Sequence, residues 1–126
     1  MIHWAGEYIG IPYEPRGRTR EGIDCWGIAM LVWREQFEIE LPDFEYDADT
    51  ARAFRDYAPT VNNVEVSVVV PGDIAMIRRR GRVRHVGVYV GEESILHIMD
   101  KSASIIERID SYRLRSTIEE WRRPLP

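Results

Sequence analysis

The chain has one cysteine, Cys25, among its 126 residues, so no disulfide can form within it and its stability has to come from a packed core. It has no apolar run near the roughly 18 to 20 residues that cross a bilayer, which excludes a membrane-spanning helix. The opening Met1 to Glu7 lacks the basic and apolar regions of a signal peptide, so the expectation is a protein that works where it is made or is exported by other machinery. There is no basic excess either. The net charge is -4, whereas phosphate recognition ordinarily shows as a surplus of Lys and Arg, so nucleic acid is not expected as a partner. Repeats, low-complexity segments and Ser/Gly-rich linkers are missing as well, so residues 1–126 read as one catalytic-sized domain.

What is present divides into two halves. Trp4 to Ile11 suits a short helix stopped by Pro12, and the turn-forming, charged run Pro15 to Gly22 delivers the chain to Asp24. Asp24 is placed to cap a helix from Cys25 to about Gln36, whose body is apolar nearly all round, the pattern of a buried helix. An acidic connection containing Asp43, Glu45, Asp47 and Asp49 leads to a second amphipathic helix expected near Thr50 to Tyr57. From Val64 the pattern turns to strands: Val64–Val70, Asp73–Ile77, Val83–Val90, Ser94–Met99 and Ser104–Ile109. Helices followed by hairpin-linked strands predict an α+β fold, with N-terminal helices packed on a mostly antiparallel β-sheet.

The candidate chemistry sits where these halves meet. Val86, Val88 and Val90 alternate toward a core, which puts His85, Gly87 and Tyr89 on the other face. With Gly91-Glu92-Glu93 as a three-residue hairpin loop, His97 falls opposite Gly87 and diagonal to His85 on one face; a slip of one residue would separate the two imidazoles. Cys25 begins a helix, where the dipole and free N–H groups favour a thiolate, and a nearby imidazolium would add to that. The sequence therefore predicts a nucleophile, Cys25, with His85 as base, and alkylation of the thiol below about pH 7. Two other readings of these residues exist. A lone cysteine or strand histidine is ordinarily a packing residue, and one cysteine with two histidines is also a zinc ligand set, to which His3 could add a fourth.

Gly22-Ile23-Asp24-Cys25-Trp26-Gly27 before an apolar helix, and Arg84-His85-Val86-Gly87-Val88-Tyr89-Val90-Gly91, resemble the NlpC-type family of papain-like cell-wall peptidases. The likeness also takes in Tyr8 to Tyr13, Pro71-Gly72-Asp73-Ile74 and His97 on the next strand. It implies a papain-like fold, a Cys25–His85–His97 triad without metal or cofactor, and Tyr13 lining the site as an oxyanion or substrate contact. The implied substrate is the stem peptide of bacterial peptidoglycan. Trp26 departs from the serine of many secreted members, and with Asp24 it adjoins the nucleophile, so both are candidate substrate contacts. The form Asp24-Cys25-Trp26-Gly27 looks most like members of phage tail and gene-transfer-agent clusters, which implies partners in a virion-like particle that carries the enzyme to the wall. A papain-like amidase or acyltransferase on another substrate, and an idle structural tail component, are the competing functions. The arginines at 78, 79, 80, 82 and 84 read as a solvated run, or as a border of the cleft that binds substrate carboxylates.

Overall fold

The computed structural model describes residues 1–43 and 63–125. The expected helix at Thr50–Tyr57, and Glu45, Asp47 and Asp49, lie outside the described residues. A 3-10 turn at Ala5–Tyr8 stands where the first short helix was expected. The run before Asp24, read from sequence as a plain loop, carries a two-stranded ribbon, β1 (Arg18–Thr19) with β2 (Gly22–Ile23). Helix α1 follows at Cys25–Phe37. Then come β3 (Asn63–Glu65), β4 (Ile74–Arg79), β5 (Arg82–Gly91), β6 (Ser94–His97), β7 (Ile105–Arg108) and β8 (Ile118–Pro124). These six form one sheet in the order β3-β8-β4-β5-β6-β7, with each strand antiparallel to its neighbours.

Helix α1 is buried along Trp26 to Trp33 without a break, as its all-round apolarity predicts. It packs on the sheet face made by Val83, Val86, Val88, Val90, Leu96 and Ile98, which form a core with Trp4, Tyr8 and Ile23. Burial at about 25 cal/mol per Å² makes this layer the main source of stability. The opposite face carries a smaller cluster of Ala75, Ile77, Ile95 and Leu114, with Tyr89, Ile118 and Trp121 against it. The segment from Ile109 to Thr117 returns the chain across that side, so β5 is covered on both faces.

Three sequence expectations change. Only the start of Val64–Val70 is a strand: β3 ends at Glu65, and Val68 and Val70 are 73% and 43% exposed. Their alternation has no second layer to face. Strand β8 was not anticipated because Glu119, Glu120, Arg122 and Arg123 dominate it, yet it lies between β3 and β4. Arg122 pairs with Glu120 at 3.1 Å and Arg123 with the buried Asp73 at 2.6 Å, so its charges are neutralised inside the sheet. The β5–β6 connection is a two-residue turn rather than a three-residue loop. Glu92 and Glu93 both take positive φ, 52° and 57°, which matches the twist of a tight hairpin.

Candidate active site

The loop before α1 is organised by one carboxylate. Asp24 is 6% exposed, and its Oδ1 accepts the Gly27 N–H at 2.7 Å, capping the helix. Arg18 donates to the same oxygen at 2.7 Å, and the Arg16 N–H reaches Oδ2 at 3.1 Å. Asp24 thus ties the loop to the start of α1, and these three bonds give it a structural part in the site beside the substrate contact expected from sequence. Trp26, the other expected neighbour of the nucleophile, is placed by packing. Its side chain is fully buried and its indole N–H donates to the Pro42 carbonyl at 2.8 Å, so it faces the core and not the cleft.

Cys25, the first helical residue, is half-buried and meets β5 at Val86, the neighbour of His85. Desolvation, reinforced by the Asp24 carboxylate, pushes the thiol up to about 12, while the Val86 N–H pulls the other way. Burial and the Asp24 charge thus oppose the helix-start dipole on which the expected alkylation below pH 7 was based. No hydrogen bond joins Sγ to the His85 ring among the described residues. Tyr13 is held over the same end of α1 by its N–H to the Ser102 carbonyl, at 2.9 Å, and by a bridge to Ile23. Burial and the neighbouring Asp100 carboxylate push its hydroxyl up to about 12, so it remains an O–H donor at neutral pH. Asp100 was not singled out from sequence; an exposed Asp in a loop carries no local signal of its own.

The histidines are arranged as the valine alternation predicts. Val88 pairs with Leu96 and Tyr89 with Ile95, so the same register sets Gly87 against His97. A Cβ on Gly87 would lie 3.4 Å from that of His97 and 2.6 Å from Ile95 Cδ1, so a larger residue would require the end of the Ile95 side chain to move. An irregularity between Ile77 and Arg78 gives β5 one extra residue near Arg84 and seats His85 opposite Ile77. His85 Nε2 and His97 Nδ1 are 2.9 Å apart, and both rings are almost wholly buried. Burial holds His85 well below 6.5, with the His97, Arg79 and Arg113 charges adding to this; burial also lowers His97, against an opposing pull from Glu107.

The chain of bonds continues beyond the residues expected from sequence. His97 Nε2 is 2.9 Å from Glu107 Oε1. Glu107 also accepts from Arg113 Nη2 at 2.8 Å and from Ser111 Oγ at 2.7 Å. A small pocket beside the rings is lined by Ile77, Arg78, Arg79, Met99, Arg113 and Thr117. Of the arginine run, Arg78 is tied to Glu119 at 3.0 Å, while Arg79 reaches the Met99 sulfur at 3.3 Å. Among the described residues, no group of three or more His, Cys, Asp or Glu is disposed to hold a metal ion.

The Murein DD-endopeptidase MepS/Murein LD-carboxypeptidase of Escherichia coli K12 is 30% identical over 119 residues, 94% of this chain and 58% of that protein. Murein DD-endopeptidase MepH of the same organism is 35% identical over 88 residues, 68% of this chain and 30% of that protein. The chain thus spans less than two thirds of the length of these relatives. Among solved structures, an NlpC/P60 family protein from Bacillus cereus superposes with a TM-score of 0.75 at 23% identity, covering 97% of this chain and 38% of that one. The NlpC/p60 domain of the peptidoglycan hydrolase SagA gives 0.64 at 18% identity, covering 96% of this chain and 92% of that one. The papain-like fold is therefore shared, with one described helix packed on a mostly antiparallel sheet. The NlpC/P60 family model matches residues 10–122, and the chain belongs to the NlpC/P60 family.

Proposed function

We propose that this protein is a cysteine peptidase that hydrolyses an amide bond in peptidoglycan stem peptides, with Cys25 as nucleophile, His85 as base and His97 orienting the base. The observation that carries the reading is the 2.9 Å contact between His85 and His97, on the strand that Cys25 meets at Val86 from a helix N-terminus. The resting pair is a neutral thiol and a neutral imidazole, so His85 takes the Sγ proton as sulfur attacks the carbonyl. Catalytic hydrogen bonds often form only when substrate is bound, which accommodates the lack of an Sγ–His85 bond among the described residues. The Cys25 N–H, at the first helical position, and the Tyr13 hydroxyl are the donors for the tetrahedral oxyanion. The tetrahedral intermediate then collapses, the C–N bond breaking as His85 protonates the departing amine, and water attacks the resulting thioester to free the acid and restore the Cys25 thiol. Murein as substrate rests on the activities named for the two relatives.

Delivery by a phage-tail or gene-transfer-agent particle belongs to the same proposal, on the likeness of Asp24-Cys25-Trp26-Gly27 to such members. The test is digestion of purified sacculi, with the released muropeptides read by mass spectrometry. Parent protein should release fragments that Cys25→Ala does not. Equal release by both rejects the cysteine peptidase, and release by neither favours an idle tail component.

A further inference from the structure

We propose that Glu107 is a positioning residue that dictates which nitrogen of each histidine carries the proton, and thereby leaves Nδ1 of His85 bare as the base. The catalytic part of this inference rests on the peptidase reading above; the proton arrangement does not.

Glu107 is only partly exposed and is surrounded by donors: Arg113 through Nη2 and Nε at 2.8 and 3.2 Å, and Ser111 through Oγ at 2.7 Å. These bonds, with that from His97, outweigh the cost of burial and hold its carboxyl at about 2, so at neutral pH it can only accept. The atom facing Oε1 across 2.9 Å, His97 Nε2, must therefore carry hydrogen. A neutral imidazole has one N–H, so His97 Nδ1 is an acceptor. Across the next 2.9 Å, His85 Nε2 must donate to it. The second nitrogen of the neutral His85 ring, Nδ1, is then left with a free lone pair. One ionised carboxylate fixes two tautomers in series, in the manner of an acid that orients a catalytic histidine in hydrolases, but through an added ring.

The charges around the two rings set how the pair responds to pH. Arg79 on β4 and Arg113 in the returning segment both disfavour an imidazolium; Glu107 on β7 favours one. Removing the carboxylate charge therefore lowers the proton affinity of the pair as well as freeing its tautomers.

Glu107→Gln is the isosteric test. Its amide has one acceptor oxygen for the four donor atoms, so an N–H₂ group must face either His97 with Arg113 Nη2 or Ser111 with Arg113 Nε. The chain has three histidines, and His3 is exposed, so His3→Gln leaves two ring signals to assign. In ¹⁵N-histidine-labelled parent protein at pH 7, both remaining rings should show the Nε2–H tautomer with bare Nδ1. In Glu107→Gln, His97 should lose its single tautomer. Turnover of muropeptides should fall on the order of 100-fold, within the range for a misplaced general base. The acid limb of kcat/KM should move to lower pH, which loosening of the fold alone would not produce. A parent His97 protonated on Nδ1, or a variant whose tautomers match the parent's, overturns the proposal. Should the variant fail to fold, the parent spectrum decides alone. The expected tautomers in a protein that releases nothing from sacculi would reject the peptidase and leave the proton arrangement standing.

Discussion

Gly27→Ala sets two principles against each other at the foundation of the site. Gly27 is the third residue of α1, and by helix propensity alone alanine there should add about 1 kcal/mol of stability. Contact geometry says the reverse. A Cβ on Gly27 would lie 2.3 Å from the Gly17 carbonyl oxygen, 2.6 Å from Ile23 Cγ1 and 3.3 Å from Asp24 Oδ1. The Gly17 oxygen cannot swing aside cheaply, because it is backbone and already accepts from Arg18 Nη1 at 2.9 Å. Overpacking of this kind costs about 1 to 3 kcal/mol, and displacing the 2.7 Å cap from Gly27 N–H to Asp24 costs about 1 more. After the propensity gain is subtracted, a net loss of about 1 to 3 kcal/mol remains. With a urea m-value of about 1 to 3 kcal/mol/M, the midpoint should fall by about 1 M while m is unchanged. The loop that presents Cys25 and Tyr13 would shift with it, so muropeptide release should fall too. A variant with an equal or higher midpoint would refute the close approach of α1 to the Gly17 loop.

The remaining predictions concern the reacting groups. Cys25→Ala should abolish release from sacculi with the far-ultraviolet spectrum intact; His85→Ala should be nearly as severe. His97→Gln should do less harm, since an amide oxygen can still accept from His85 Nε2, and Tyr13→Phe should be mildest, at about ten- to a thousandfold. An order with His97 above His85 would reverse their assigned roles. Alkylation of Cys25 by iodoacetamide should keep rising past pH 8.5, where an ordinary thiol is half ionised, because the folded protein holds the thiol up to about 12; a plateau below pH 7 would restore a resting ion pair. His85 and His97 are held below 6.5 when folded, so the unfolded chain binds more protons in that window. Stability should therefore drop as pH falls below about 6.5, and His85→Gln with His97→Gln should flatten that slope; an unchanged slope would mean that other groups carry it.

What was legible in the sequence was whatever repeats locally. The valines of β5 alternate because one face packs on α1, and that period, with the hairpin after it, put His85 and His97 on one face with Gly87 opposite His97. Asp24 announced the helix start because capping chemistry is confined to a few residues. Strand β8 was hidden because its charged residues find partners brought by the fold: Arg123 meets Asp73 from fifty positions away, a pairing with no local trace. Val68 and Val70 misled for the converse reason, since alternation describes a strand only when another layer exists to cover it.

Glu107 shows where such reading stops. In Ile105-Ile106-Glu107-Arg108 it is one charged residue on a strand of intermediate burial, and nothing nearby marks it out. Its meaning comes from three separate placements: β7 beside β6 with Ile95 opposite it, His97 two residues along β6, and Arg113 returning over the sheet. Because the returning segment that carries Arg113 packs on the smaller apolar face through Ile109 and Leu114, that face matters to the chemistry as well as to stability. Leu114→Ala is the probe of this dependence. Leu114 is 4% exposed, next to Arg113, and its truncation should cost about 2 to 5 kcal/mol if the site cannot collapse. If the smaller core holds the proton chain in place, the folded variant should also lose the single tautomer of His97 under conditions where α1 is intact. A variant that is less stable by that amount yet keeps both tautomers would show that Glu107 and its arginine hold their positions without the apolar face beneath them.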